Sequence, residues 1–575
     1  MLYFSTVIID IIYLSLSALI LNSIFKIKLN HCFLISIIIN GIFIYLIYSL
    51  LPLNFFRLGF YIYLIAIFFL FIGYALKKKT NRFNKKLLIE FFVISFIISI
   101  FCFNKYFLDE DELNHWGRII KYFHIITNSE INKIPEIYLY HQPFLPVIHF
   151  FNSFVSGFRE DISIFSNNLF LISSFYFLFY QEKISFYKRI FLFAIFYLCL
   201  NNLSFGFVSI YADPIISVLY CCLIFYIYSK NNSYQEYKDW FIIFVLSSAL
   251  FLVHRSGVIY IIFATFLYFF LINSYNKENY FKFILINLIF FFYLFLSRIN
   301  IKNFLTLFDI EPFKIFFNTF LFTDIYFSDF GVSANLILFN FGFDNFKLPT
   351  YDINVLFWFL LIFAITVCSY KNNYKMIFFI LFQFFGYSFL IYFYKIRLDE
   401  LSILVYGRYI GIFFLSILLL NILILSISIN RFNKIVIFLL FITLALITPL
   451  KSFGFFLSHK KFLTQEQNKD FWHQKQTIKA ISSRLKPGHR PYVILGSMTS
   501  NKTKYHPTMI FSLMNFEFYP FPGWVVAVIP LKNYLFEVDK FLEQNLIFYN
   551  LTNDEKEKVE NKRYFNKKII FLNFD

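Results

Sequence analysis

Long apolar runs separated by short polar joints dominate this chain, and the length of the runs decides how they are read. A helix that crosses a bilayer needs roughly 20 apolar residues. Runs of about that length fall at 2–24, 32–52, 58–76, 87–103, 162–180, 190–210, 214–229, 240–253, 258–273, 281–297, 353–369, 375–394, 410–429 and 434–450. The pattern predicts an all-α polytopic membrane protein with about fourteen transmembrane helices. The opening stretch MLYFSTVIIDIIYLSLSALIL has no basic start and no small-residue cleavage site, so it reads as a first span and not as a signal peptide.

From about residue 451 the pattern changes, with Lys, Asp, Glu, Gln, Pro and Gly returning. DFWHQKQTIKAISSRL predicts an amphipathic helix, KPGHRP a turn, YVILGS a short buried strand, HPTMIFSLMN a second helix and KKIIFLNF a final strand. The expected organisation is a transmembrane domain over residues 1–454 and a small α/β external domain over 455–575.

The joints between runs set the orientation, because Lys and Arg collect in short cytoplasmic loops. The most basic joint is KKKTNRFNKK, Lys77 to Lys86. Placing it inside makes KIKLN, QEKISFYKR, SKNNSYQEYK, NKENYFK, KNNYK and NRFNK cytoplasmic as well, and all are short and basic. The external set is then the 104–161 loop, the Tyr211 to Pro214 turn, His254 to Gly257, the 298–352 loop, Lys395 to Tyr409 and the tail. LVHRSG reads as a hairpin with His254 and Arg255 near its external mouth, since fusing its two flanking runs would turn three basic loops outward.

Composition agrees with a membrane chain. Hydrophobic residues make up 59% and charged residues 15%, with mean hydropathy +0.65, against about 25% charged in soluble proteins. The net charge of +18 would suggest nucleic acid in a soluble protein, but here it divides by side of the membrane, and no nucleic-acid partner is expected. The six cysteines all lie in apolar runs without a CxxC pair or a His cluster, which argues against a disulfide framework or a zinc site.

One joint stands apart. DEDELNHWGR, Asp109 to Arg118, sets four consecutive carboxylates, then a His, a Trp and an Arg, directly after the fourth run. Charge this dense at a membrane boundary is costly unless it is solvated or used. A short helix through the loop would put Asp111 and His115 one turn apart on one face. The other predicted external joints add His141 with Pro143 and Pro146, Asp213 in SIYADP, His254 with Arg255, and Arg397, Asp399, Glu400, Arg408 and Tyr409 in RLDELSILVYGRY. A carboxylate can take a proton from an attacking hydroxyl while guanidinium groups hold a phosphate or diphosphate leaving group. Carboxylates and arginines on one aqueous side therefore suit group transfer from a lipid-linked donor.

These residues resemble the GT-C superfamily of polytopic glycosyltransferases, whose relatives include protein mannosyltransferases and lipid A aminoarabinose transferases. The resemblance spans roughly 87–450 and is carried by DELNHWG, by YHQPFLP about thirty residues later, by the Tyr-x-Asp turn, by a basic residue two spans on and by a late Arg-Tyr. It implies that Asp111 is the base acting on the acceptor hydroxyl with Glu112 beside it. Asp109 and Glu110 are rivals, because the doubled Asp-Glu leaves the register open. It further implies that Arg255 and Arg408 contact the donor phosphate, with His115, His141, Asp213 and Tyr409 lining the substrate site. Four runs precede the acidic loop where many relatives have one, and HQPFLP replaces the commoner Pro-Pro.

The expected function is inverting transfer of a hexose or pentose from a polyprenyl-phosphate sugar donor to a lipid, glycan or protein acceptor. The resemblance implies a place in the cytoplasmic (inner) membrane of a bacterium, with the active site facing the periplasm or exterior. No cofactor is required, and a divalent metal joins the carboxylates in some relatives and not in others. The alternatives are a polysaccharide (O-antigen-type) polymerase or ligase and a lipid-linked substrate transporter or flippase. A transporter would normally set its ionisable residues near the bilayer midplane.

Overall fold

The computed structural model describes residues 2–51, 53–76, 85–107, 112–128, 144–180, 184–203, 210, 212–229, 237–253, 257–271, 378–379, 381–382, 475–480, 491–495, 527–530, 545–549, 551–560 and 569–572. Its helices follow the apolar runs: α1 (Leu2–Phe25), α2 (Leu29–Leu50), α3 (Leu53–Leu76), α4 (Lys85–Cys102), α5 (Gly117–Asn128), α6 (Phe144–Ser153), α7 (Glu160–Phe179), α8 (Phe186–Leu203), α9 (Ala212–Ser229), α10 (Tyr237–Val253) and α11 (Gly257–Leu271). Among the described residues, four stretches are long and apolar enough to cross a membrane: Leu2–Phe25, Leu29–Leu50, Phe55–Tyr74 and Glu160–Phe179. The protein is therefore helical with membrane-spanning capacity. The runs predicted at 281–297, 353–369, 410–429 and 434–450 lie outside the described residues, as does nearly all of 375–394.

Helix contacts show how the chain goes up and down. Tyr3 near the start of α1 donates its hydroxyl to the Ser99 carbonyl near the end of α4, at 2.7 Å, so these two helices run antiparallel. Asn30 at the start of α2 donates to the Tyr176 carbonyl near the end of α7, at 3.2 Å. Tyr226 near the end of α9 donates to Asp239 Oδ1 at the start of α10, at 2.6 Å. One end of the bundle thus gathers the end of α1, the starts of α2, α4, α8 and α10, and the ends of α7 and α9. The other end gathers the start of α1, residues 103–107 and 112–116, the start of α7 and the start of α9.

The outer wall is made for lipid. Phe55, Leu58, Ile62, Ile65, Phe68 and Phe69 of α3 are all exposed, and α3 shows no sharp apolar stripe. A helix apolar all round suits a membrane span, where the outer face meets hydrocarbon. By contrast α7 is buried along nearly its whole length and is the central post of the described bundle. It carries Ser163, Ser166, Asn167, Asn168, Ser173 and Ser174, most of which hydrogen-bond nearby carbonyls or neighbouring side chains and so keep polar groups satisfied away from water.

Within 104–161, expected to be an external loop, two helices pack against the bundle. α5 and α6, of 12 and 10 residues, are too short to cross a bilayer, yet the side chains of α6 are buried almost throughout. A Cβ on Gly41, midway along α2, would lie 2.8 Å from Ile148 and 3.0 Å from Phe144, so glycine is what lets α6 approach α2 so closely. The reason is composition: FLPVIHFF has no exposed face to offer water and must be covered.

This burial has a pH consequence. His124 of α5 shares a 2.8 Å hydrogen bond between Nε2 and Ser153 Oγ, and burial pushes its pKa down to about 4. His149 of α6 is fully buried, and burial pushes it down to about 3, the Asn167 amide offsetting this only in part. Between the ordinary value of 6.5 and these depressed values the unfolded chain binds protons that the folded chain refuses. Stability is therefore intact above pH ~6.5 and falls as the pH drops toward 4, with His124 alone worth on the order of 3 kcal/mol. Thermal unfolding in detergent should show a midpoint declining below pH ~6.5, and His149→Gln should flatten that decline. An identical pH profile in that variant would mean that His149 is not buried as a neutral ring.

In the tail, strands lie at Pro491–Leu495, Ala527–Pro530, Asn545–Tyr549 and Ile569–Leu572, named β1 to β4. They form one parallel sheet in the order β2-β1-β3-β4. β1 and β4 fall where YVILGS and KKIIFLNF predicted them, and residues 475–480 are helical within DFWHQKQTIKAISSRL. The predicted helix at HPTMIFSLMN lies outside the described residues. Between β3 and β4 runs a helix, Asn553–Glu560, opened by a capping box. The Glu555 N–H donates to Thr552 Oγ1 at 3.2 Å, and the Thr552 N–H donates to Glu555 Oε2 at 2.9 Å.

Candidate functional site

Residues 108–111, with three of the four consecutive carboxylates, connect two firmly anchored positions, Phe107 and Glu112. Phe107 is held through its backbone. Its N–H donates to Glu160 Oε2 at 2.6 Å, at the start of α7. Lys475 Nζ lies 2.6 Å from that same oxygen and donates to the Phe107 carbonyl at 3.5 Å, with the ammonium 5.2 Å from the Tyr106 ring centre. The Lys475 side chain is only 3% exposed, so this is a buried ion pair, not a surface one. It joins the helical segment 475–480 to the start of α7 and to Phe107.

Glu112 is held through its side chain. It is 2% exposed, and its Oε1 accepts the Ile210 N–H at 3.0 Å. A carboxylate that replaces water with a backbone amide is positioned, not loosely solvated. The contact draws the acidic loop against the SIYADP segment, 98 residues further along the chain.

Glu112–Trp116 forms a π-helix that passes directly into α5. The expected pairing of Asp111 with His115 falls on Asp111, which lies outside the described residues; from Glu112 onward the turn is wider than an α-helix, with hydrogen bonds from i to i+5. Single π-turns within α-helices occur often at functional sites. Gly117 stands at the junction, where a Cβ would lie 2.6 Å from the Phe107 ring and 2.7 Å from the Glu112 carbonyl oxygen. Trp116 and Arg118 flank it and are buried.

The charges around this end are closely matched. Arg159 forks onto Asp161, with Nε at 3.0 Å from Oδ1 and Nη2 at 2.8 Å from Oδ2, and Asp161 also receives the Asn104 N–H at 3.3 Å. Asn104 takes the left-handed φ of 56°, which turns the chain from α4 toward the acidic stretch. Burial pushes the Lys105 ammonium down to about 8. Lys105, Arg118 and Lys475 are all buried, and Lys475 is paired with the Glu160 carboxylate.

Of the residues singled out from the sequence, Glu112 is in place with its partner, His115 lies on the π-helix, and Asp213 lies in the first turn of α9. The Glu112 to Ile210 bond brings the segments carrying these three together. Asp109, Glu110, Asp111, His141, Arg255, Arg408 and Tyr409 lie outside the described residues. Among the described residues no group of three or more His, Cys, Asp or Glu is arranged to hold a metal ion. Sequence reasoning passed over Glu160 and Lys475. The Arg-Glu-Asp preceding the α7 run was a signal of a charged helix start, whereas Lys475 carried no signal at all. Comparisons with protein-family models, with curated proteins and with solved structures return no match for this chain.

Proposed function

We propose that the chain is a membrane glycosyltransferase of GT-C type that moves a sugar from a polyprenyl-phosphate donor to an acceptor hydroxyl on the external face, with inversion. The observation that carries this reading is the buried bond from the Ile210 N–H to Glu112 Oε1, which holds the acidic loop against the Tyr-x-Asp-Pro segment at one end of the bundle. Two polar joints far apart in sequence are thereby tied to each other, which supports a site built from both, as a two-substrate transfer requires.

In this mechanism Asp111 takes the proton of the acceptor hydroxyl as its oxygen attacks the anomeric carbon. The bond from that carbon to the phosphate oxygen breaks, and polyprenyl phosphate leaves as an anion paired with Arg255 and Arg408. Glu112 acts as a positioning residue, since its carboxylate is already engaged with backbone. The donor's lipid tail lies along the exposed apolar wall while its headgroup reaches the rim.

Polyprenyl phosphate is the leaving group whatever the sugar, so its binding tests the reading directly. Purified protein should bind it, Arg255→Ala should weaken binding by roughly tenfold or more, and Arg255→Lys should restore it only in part because the guanidinium fork is lost. Absence of binding by the unaltered protein, or equal affinity in Arg255→Ala, would remove the donor site and the reading with it.

A further inference from the structure

A second polar site lies inside the bundle, away from the acidic loop. Asp10 of α1 is 8% exposed, and its Oδ2 has no hydrogen-bond partner. It lines a small cavity between α1, α2, α6 and α7 together with Tyr13, Asn40, Asn152, Ile148 and Leu169, with room for about one water-sized group. A lone carboxylate buried among helices is costly unless something neutralises it. Among the described residues it has no ion-pair partner.

Hydrogen-bond accounting shows what the cavity offers. The Tyr13 hydroxyl spends its hydrogen on Asn40 Oδ1 at 3.0 Å, which also receives the Tyr63 hydroxyl at 2.6 Å. Asn152 spends an Nδ2 hydrogen on Ser166 Oγ at 2.7 Å. The oxygens that can still accept are the Asp10 carboxylate, the Tyr13 hydroxyl and Asn152 Oδ1, and the donors that no bond among the described residues uses are the Asn40 amide hydrogens and one of those on Asn152. Oxygen ligands with a single carboxylate suit a hard cation of single charge. A dication would leave net positive charge in an apolar interior.

We propose that Asp10, Tyr13 and Asn152 bind a monovalent cation, Na+ in preference to the larger K+, and that the ion ties α1 to α6 inside the bundle. The site is independent of the glycosyltransferase reading.

The full-length protein in detergent, moved into choline chloride at constant ionic strength, supplies the test. Adding NaCl should raise the thermal unfolding midpoint saturably, and KCl should do so only at higher concentration. Asp10→Asn should abolish the NaCl response while leaving helix content unchanged. Tyr13→Phe, which removes one ligand oxygen and keeps the carboxylate, should raise the half-saturating Na+ concentration by about tenfold or more, and it decides the matter if Asp10→Asn does not fold. Equal midpoints in NaCl and choline chloride, or the same Na+ response in the unaltered protein and in these variants, would overturn the site and leave Asp10 as a neutral carboxylic acid.

Discussion

Replacing Asp111 with Asn should lower the transfer rate by about 100-fold to 10,000-fold while donor binding largely survives, because the amide keeps the shape of the carboxylate and cannot take the acceptor's proton. Asp111 immediately precedes Glu112, whose carboxylate is bonded to the Ile210 N–H and so is committed to holding the loop. That commitment separates the two adjacent carboxylates by role. Glu112→Gln retains an acceptor for Ile210 and should cost far less than Asp111→Asn. Asp109→Asn should also cost little, since Asp109 stands two residues further from the anchored Glu112. Turnover of a polyprenyl-phosphate sugar by the purified variants measures all three. A large loss in Asp109→Asn with near-normal turnover in Asp111→Asn would move the base two residues upstream. Near-normal turnover in both would take the acidic loop out of the mechanism.

Glu90→Ala is expected to have the largest effect on stability. Glu90 and Arg189 form a two-pronged ion pair at the end of the bundle opposite the acidic loop, with Nε at 2.8 Å from Oε1 and Nη2 at 2.6 Å from Oε2. Both side chains are 2% exposed. Arg189 also donates to the Ile184 carbonyl and lies 4.9 Å over the Tyr180 ring, so its guanidinium is fixed from three directions. Removing the carboxylate strands a buried cation, which typically costs ~3–5 kcal/mol. The double variant Glu90→Met with Arg189→Met removes both charges and should recover most of the loss, since apolar replacement of a buried pair is often neutral or stabilising. Denaturant unfolding in detergent reads both. A loss below ~1 kcal/mol in Glu90→Ala would show that water reaches the pair.

What the sequence determined by itself is what depends on near neighbours. The lengths of the apolar runs placed α1 to α4 and α7 to α11 to within a few residues at most ends, because a helix satisfies its own backbone and its hydropathy is a local sum. The described helices alternate in direction, so the helix ends that flank the basic joints between α1 and α10 fall together. YVILGS and KKIIFLNF announced β1 and β4, whereas β2, AVIP, and β3, NLIFY, had weaker signals. The capping box Thr552 to Glu555 was legible and was passed over.

Only the tertiary structure decided which distant residues meet. Nothing near Glu112 in the sequence points to Ile210, and nothing near Glu160 points to Lys475, 315 residues away. Nor does the apolar character of FLPVIHFF distinguish a surface helix from one buried against Gly41. Asp10 reads as a single polar residue in an apolar span until α6 closes a cavity beside it. The physical reason is common to all four. Hydropathy and periodicity report how a segment partitions between water and apolar surroundings, while a specific hydrogen bond or ion pair reports which surfaces pack together, and that choice is settled by the shapes of helices far apart in the chain.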